Sequence, residues 1–101
     1  MYEKLVSILE KYNSLKEKLN DPNIAMDPVQ FREINRELKH LTSLALASER
    51  YIKISDDIKS ARELTEQKDL DPELKELAYL EIDSLTEQLE GMEEEMRALL
   101  I

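Results

Sequence analysis

The sequence predicts an all-α protein: an elongated antiparallel three-helix bundle with coiled-coil-like packing and a long middle helix. The first observation is composition, because 37% charged and 42% apolar residues with a single glycine are typical of long helices. The second is the spacing of apolar residues at steps of three and four along three segments, which is the helical period. The third is that every proline follows an aspartate, in Asp21-Pro22, Asp27-Pro28 and Asp71-Pro72.

These Asp-Pro pairs predict helix starts. Proline disfavours a helical conformation in the preceding residue and has φ already set for the first helical position. Aspartate adds a side-chain acceptor for the free N–H groups of the first turn. Gln30 lies where a capping box with Asp27 requires it. Asp21-Pro22 predicts only a single turn, because the segment 23–26 is too short for more.

The first two predicted helices cover about residues 2–20 and 28–68. Apolar seams that support them are Leu5, Ile8, Tyr12, Leu15 and Leu19 in the first, and Phe31, Ile34, Leu38, Leu41, Leu44, Ala47, Tyr51, Ile54, Ile58 and Ala61 in the second. The middle helix would span roughly 60 Å. Its seam shifts by consecutive three-residue steps from Leu38 to Leu44, which predicts overwinding or a bend near Thr42 to Ala47.

The third predicted helix covers about residues 72–99. Its seam is Leu74, Ala78, Ile82, Leu85, Leu89, Met92, Met96 and Leu99. Connections of a few residues make consecutive helices antiparallel, so residues 1–101 form one predicted domain with a thin core. A core this thin also predicts a tendency of the isolated domain to self-associate.

Charge is distributed unevenly along the chain. Residues 1–66 carry eleven Lys/Arg and twelve Asp/Glu, whereas residues 67–101 carry three and eleven. The acidic last third repels a phosphate backbone, which argues against DNA binding by the whole surface. There is no cysteine and no apolar run long enough for a bilayer, so we expect a cytoplasmic protein with no membrane partner.

The chain offers no convergent set of catalytic groups, and we expect neither enzyme activity nor a cofactor. His40 is the one histidine, and Gly91 is the one glycine. Adjacent residues of the acidic run 93–95 point in different directions from a helix, so they do not predict a metal site. Gly91 is either a tolerated glycine with a local kink or a point of close backbone approach.

One charge pattern on the middle helix is a candidate partner-binding surface. It consists of five basic residues on a single heptad stripe: Arg32, Arg36, Lys39, Arg50 and Lys53. Two interpretations remain open. The stripe forms ion pairs with the acidic third helix, or it docks RNA phosphates or an acidic protein.

Three segments of the chain carry a family resemblance. They are MYEKLVSILEKYNSLKEKLNDP, DPVQFREINREL and DLDPELKELAYLEIDSLTEQLEGMEEEMRALLI. In this order they resemble the N-terminal helical domain of bacterial class I peptide chain release factors of the type that reads UAA and UAG. The resemblance covers essentially the whole chain, and the Asp-Pro connections are its most specific part.

The resemblance implies a non-catalytic role in translation termination. In this family a tripeptide loop reads the stop codon and a Gly-Gly-Gln loop promotes peptidyl-tRNA hydrolysis, and both lie downstream of the helical domain. This chain has neither, so we expect a fragment of a longer factor that does not terminate translation alone. The implied partners are the ribosomal stalk-base protein with its rRNA and the GTPase that recycles release factors. The alternative function is a structural or adaptor bundle that mediates protein association.

Overall fold

The computed structural model describes residues 1–100, and within this range the protein is all-α without strands. The helices are α1 (Tyr2–Lys18), α2 (Pro22–Ala25), α3 (Pro28–Thr65) and α4 (Pro72–Leu99). The predicted all-helical class is therefore confirmed. The chain divides into two compact units, Met1–Glu49 and Arg50–Ile101, and α3 contributes residues to each.

All three Asp-Pro pairs start helices, as predicted. In each pair the proline is the first helical residue. The preceding aspartate accepts a backbone N–H bond two residues on: Asn23 N–H to Asp21 at 2.9 Å, Val29 N–H to Asp27 at 3.0 Å and Glu73 N–H to Asp71 at 2.9 Å. Asp21-Pro22 opens the single turn α2, which also confirms that prediction.

The cap of α3 differs from a standard capping box. Asp27 Oδ1 also accepts from the backbone N–H of Gln30 at 3.2 Å, while the Gln30 side-chain amide donates to Asp27 Oδ2 at 2.9 Å. In a capping box that side chain would instead accept from the backbone N–H of Asp27. This N–H already donates to the Ile24 carbonyl at 3.1 Å, so the amide of Gln30 binds the carboxylate.

The first unit contains α1, α2 and the N-terminal part of α3. Its buried apolar residues are Leu5, Leu15, Leu38, Ala45 and Ala47. The ion pair between Lys11 Nζ and Glu37 Oε1, at 3.1 Å, joins α1 to α3. Its partners are largely exposed, so it contributes about 0–1 kcal/mol.

The second unit contains the rest of α3 and all of α4. Its buried apolar residues are Tyr51, Ile58, Ala61, Ala78 and Met96. The Tyr51 hydroxyl donates to Glu93 Oε1 at 3.0 Å, and this bond joins the two helices. Burial, and then the hydrogen bond to Glu93 and its charge, raise the pKa of Tyr51.

Helix α3 is continuously helical through the segment where we predicted a bend. Two hydroxyls there donate to the carbonyl four residues back: Thr42 to Leu38 and Ser48 to Leu44, each at 2.7 Å. Ser48 is fully buried, and this bond satisfies its hydroxyl. Such bonds often bend helices, and the bend itself stays a prediction.

The observed burial departs from the predicted seams at several positions. Phe31, Leu74 and Leu99 were assigned to seams, yet 43%, 52% and 49% of their surfaces are exposed. Ala45 was assigned to none and is buried, with 1% exposed. The seams predict which face of a helix is apolar, but the neighbouring helix does not cover that face to its ends.

Candidate partner-binding surface

The first half of α3 has one buried face and one charged face. Leu38 and Ala45 are buried. Arg32, Arg36 and Lys39 follow one another at steps of four and three, which places them on one helix face with Cβ atoms about 5–6 Å apart. All three are exposed.

These three cations have no ion-pair partner within residues 1–100. By contrast, Glu37, on the same stretch of helix, is paired with Lys11. Three unpaired positive charges on one face produce a local positive potential on a protein whose net charge is −9. The arrangement fits phosphate groups or carboxylates of a partner.

The remaining two stripe residues lie in the second unit and have acidic neighbours there. Lys53 Nζ forms an ion pair with Asp57 Oδ2 at 3.1 Å, four residues on in the same helix. Arg50 lines an open groove of about 430 Å³ together with Glu95 of α4. These cations are therefore less suited to an external anion than the first three.

The described part of the chain holds no group of three or more His, Cys, Asp or Glu side chains placed to bind a metal ion. His40 is exposed on α3. None of the helices described is both long and apolar enough to cross a membrane.

Gly91 lies on α4 and lines the same groove as Arg50. Apart from its chain neighbours and the adjacent helix backbone, a Cβ added there would meet no atom of residues 1–100 within 4 Å. The interpretation of Gly91 as a point of close backbone approach is therefore wrong, and it is a tolerated helical glycine.

Sequence reasoning missed an exposed apolar surface on α4. Leu74, Leu77 and Leu80 have 52%, 60% and 60% of their surfaces exposed. Only Leu74 belongs to the predicted seam. The signal was a second series of leucines at three-residue steps, which leads away from the seam around the helix.

Comparisons with known proteins agree with the resemblance found in the sequence. The PCRF domain family matches residues 8–101. Peptide chain release factor 1 of Chloroherpeton thalassium is 31% identical over the whole chain, that of Alkaliphilus metalliredigens 32% and that of Bacillus licheniformis 33%. The chain spans only 28% of the length of each of these relatives. No solved structure gave a significant match.

A family match over residues 8–101 and relatives aligned along all 101 residues lead to the same assignment. The chain belongs to the PCRF domain family of peptide chain release factors.

Proposed function

We propose that this PCRF domain is a non-catalytic, ribosome-contacting part of a cytoplasmic translation termination factor acting at UAA and UAG. The family match and the relatives named peptide chain release factor 1 support a role in termination. The codon assignment rests on the sequence resemblance described above. The proposed architecture is a single domain formed by an antiparallel three-helix bundle.

The observation that carries this proposal is the exposed, unpaired basic face at Arg32, Arg36 and Lys39. We propose that this face docks on the ribosomal stalk base, where rRNA phosphates and its protein would meet it. Arginine binds phosphate bidentately, and lysine binds it as a point charge. Arg50 and Lys53 would contribute less, since acidic groups lie beside them.

Charge reversal tests the docking face. Arg32→Glu, Arg36→Glu and Lys39→Glu together should weaken binding of the chain to a stalk-base protein–rRNA fragment at least about 10-fold, because three phosphate contacts become repulsive. Fluorescence anisotropy at two salt concentrations measures the affinity, and the salt dependence should become shallower by about one unit of slope per lost contact. Circular dichroism checks that melting stays cooperative.

A charge-matched control reverses Lys59, Arg62 and Lys68, three exposed cations of the second unit. This control changes the net charge by the same amount as the first variant. Its affinity for the fragment should stay within about 2-fold of that of the unaltered chain. Equal loss in both variants would mean that only net charge matters. No association of the unaltered chain, or loss of folding with the first variant alone, would also contradict the proposal.

A second candidate function is a structural or adaptor bundle without a ribosomal role. The exposed leucines of α4 favour it, since patches of this kind mark protein interfaces. Extending the gene's reading frame distinguishes the two: a downstream Gly-Gly-Gln segment supports the termination factor. We also propose contact with the recycling GTPase, which a binding assay would test. Self-association of the isolated domain is a further proposal, which sedimentation would test.

A further inference from the structure

The N-terminal half of α4 has an apolar surface that nothing described in the protein covers. Leu74, Leu77 and Leu80 are each more than half exposed. Residues three apart on a helix are neighbours, so these side chains form a continuous strip that winds around α4. We call these three residues the leucine strip.

A shallow groove of the same unit lies beside this strip. It has a volume of about 290 Å³, and its lining residues are Asp57, Ser60, Ala61 and Leu64 of α3 and Glu81 of α4. Glu81 is four residues from Leu77 and is therefore its neighbour on α4, so the groove reaches one border of the strip. Leu64 is itself 37% exposed, so α3 also contributes an exposed apolar residue to this unit.

Acidic residues border the leucine strip on both sides. Glu73 and Glu81 lie four residues before and after Leu77, and Glu76 and Asp83 lie four before and three after Leu80. All four acids are exposed, and none has an ion-pair partner in the range described. From Pro72 to Glu90 the helix carries six acids and one lysine.

We propose that this surface binds an amphipathic helix of another protein whose apolar face is flanked by lysine or arginine. The leucines would meet the apolar face of that helix, and the acids would meet its basic flanks. This proposal is independent of the ribosomal function proposed above, because the leucine strip and the Arg32–Lys39 face share no residue.

Charge decides against a second copy of this chain as the occupant. Pairing of two leucine strips would bring their acidic borders together, and like charges at an interface are costly. The basic face of a second copy is also a poor match. On the stripe of α3 that carries this face, the exposed apolar residues are Val29 and Leu46, and they lie about 25 Å apart, so they cannot cover a continuous strip.

A synthetic helix of about 20 residues, built only from leucine and lysine on opposite faces, is a direct probe. We expect it to bind the intact 101-residue chain with an affinity that falls as salt rises, because part of the attraction is electrostatic. A peptide with glutamate in place of every lysine should not bind. Fluorescence anisotropy measures both.

Two variants localise the binding. Leu77→Gln with Leu80→Gln should weaken it at least about 10-fold, since apolar residues at the centre of an interface dominate its energy. Glu76→Lys with Glu81→Lys should weaken it similarly and remove most of the salt dependence. Both pairs are exposed, so helicity and melting temperature should hardly change.

The matched control is Met26→Gln with Val29→Gln, two exposed apolar residues of the first unit. It should bind the probe normally. The proposal is overturned if neither peptide binds, if the two peptides bind equally, or if the leucine variant binds like the control. It is also overturned if sedimentation shows a dimer that the leucine variant abolishes, because the occupant would then be a second copy.

Discussion

Tyr51 combines a buried side chain with a hydrogen-bonded hydroxyl group. Its side chain is buried with 5% of its surface exposed, and its hydroxyl is satisfied by Glu93 of α4. The aromatic ring therefore packs in the second unit while its polar end is bonded at the edge. Glu93 also lies 3.6 Å from Arg97, so one carboxylate serves two partners.

The Tyr51→Phe variant should be less stable at neutral pH by about 1 kcal/mol, the usual net contribution of one hydrogen bond. The pKa of Tyr51 is raised above its usual 10.0. Its contribution is therefore fully present below pH 10 and is lost as pH rises through the folded-state pKa. Urea unfolding between pH 7 and pH 11 should show the difference between the two proteins shrinking above pH 10.

Tyr79→Phe is the control for this experiment, because Tyr79 is 51% exposed. The free energy of unfolding of this variant should match that of the unaltered protein from pH 7 to pH 11. A constant difference between Tyr51→Phe and the unaltered protein up to pH 11 would contradict the argument from burial.

At the scale of the element, the start of α3 depends on a charged cap. Hydrogen bonds from the Gln30 side chain and backbone, together with that from the Val29 N–H, hold the pKa of Asp27 below its usual 3.8. A carboxylate with a lowered pKa stabilises the folded state above pH 3.8, and this contribution is lost as pH falls through the folded-state pKa. Acid should therefore weaken the N-terminal end of α3.

The Asp27→Asn variant isolates this effect, since Asn caps helices but carries no charge. The melting temperature of the unaltered protein should exceed that of the variant at pH 7, and the gap should narrow below pH 4. Asp83→Asn, an exposed site within α4, controls for loss of one charge. A gap that stays constant down to pH 2 would rule out the charged cap.

Gly91 is a point of low local stability in helix α4. Glycine in a helix costs about 1 kcal/mol relative to alanine, and an added Cβ meets open space here. Gly91→Ala should therefore raise the melting temperature by about 4–8 °C, the shift that 1 kcal/mol produces in a domain of this size. Thermal melting followed by circular dichroism measures it.

Gln88→Gly, at an exposed site in the interior of the same helix, is the reverse control and should lower the melting temperature. No gain from Gly91→Ala would mean that the helix needs the flexibility of glycine at this point.

At the scale of the whole molecule, the two compact units differ in net charge, which is −1 for Met1–Glu49 and −8 for Arg50–Ile101. The unpaired basic face belongs to Met1–Glu49, and the acidic leucine strip belongs to Arg50–Ile101. The net charge of the whole chain, −9, does not show this difference between the two units. The two surfaces predict partners of opposite chemistry, and the two sets of variants proposed here test them separately.

The sequence by itself determined the helical class, the three Asp-Pro starts, and the position of Arg32, Arg36 and Lys39 on one helix face. These features are local, because capping depends on residues two or three apart and a helix face on steps of three and four. Only the tertiary structure decided that Leu74 is exposed, that Ala45 is buried, and that Tyr51 bonds Glu93. Burial depends on how far a neighbouring helix reaches, and contacts between residues 42 positions apart leave no periodic trace in the chain.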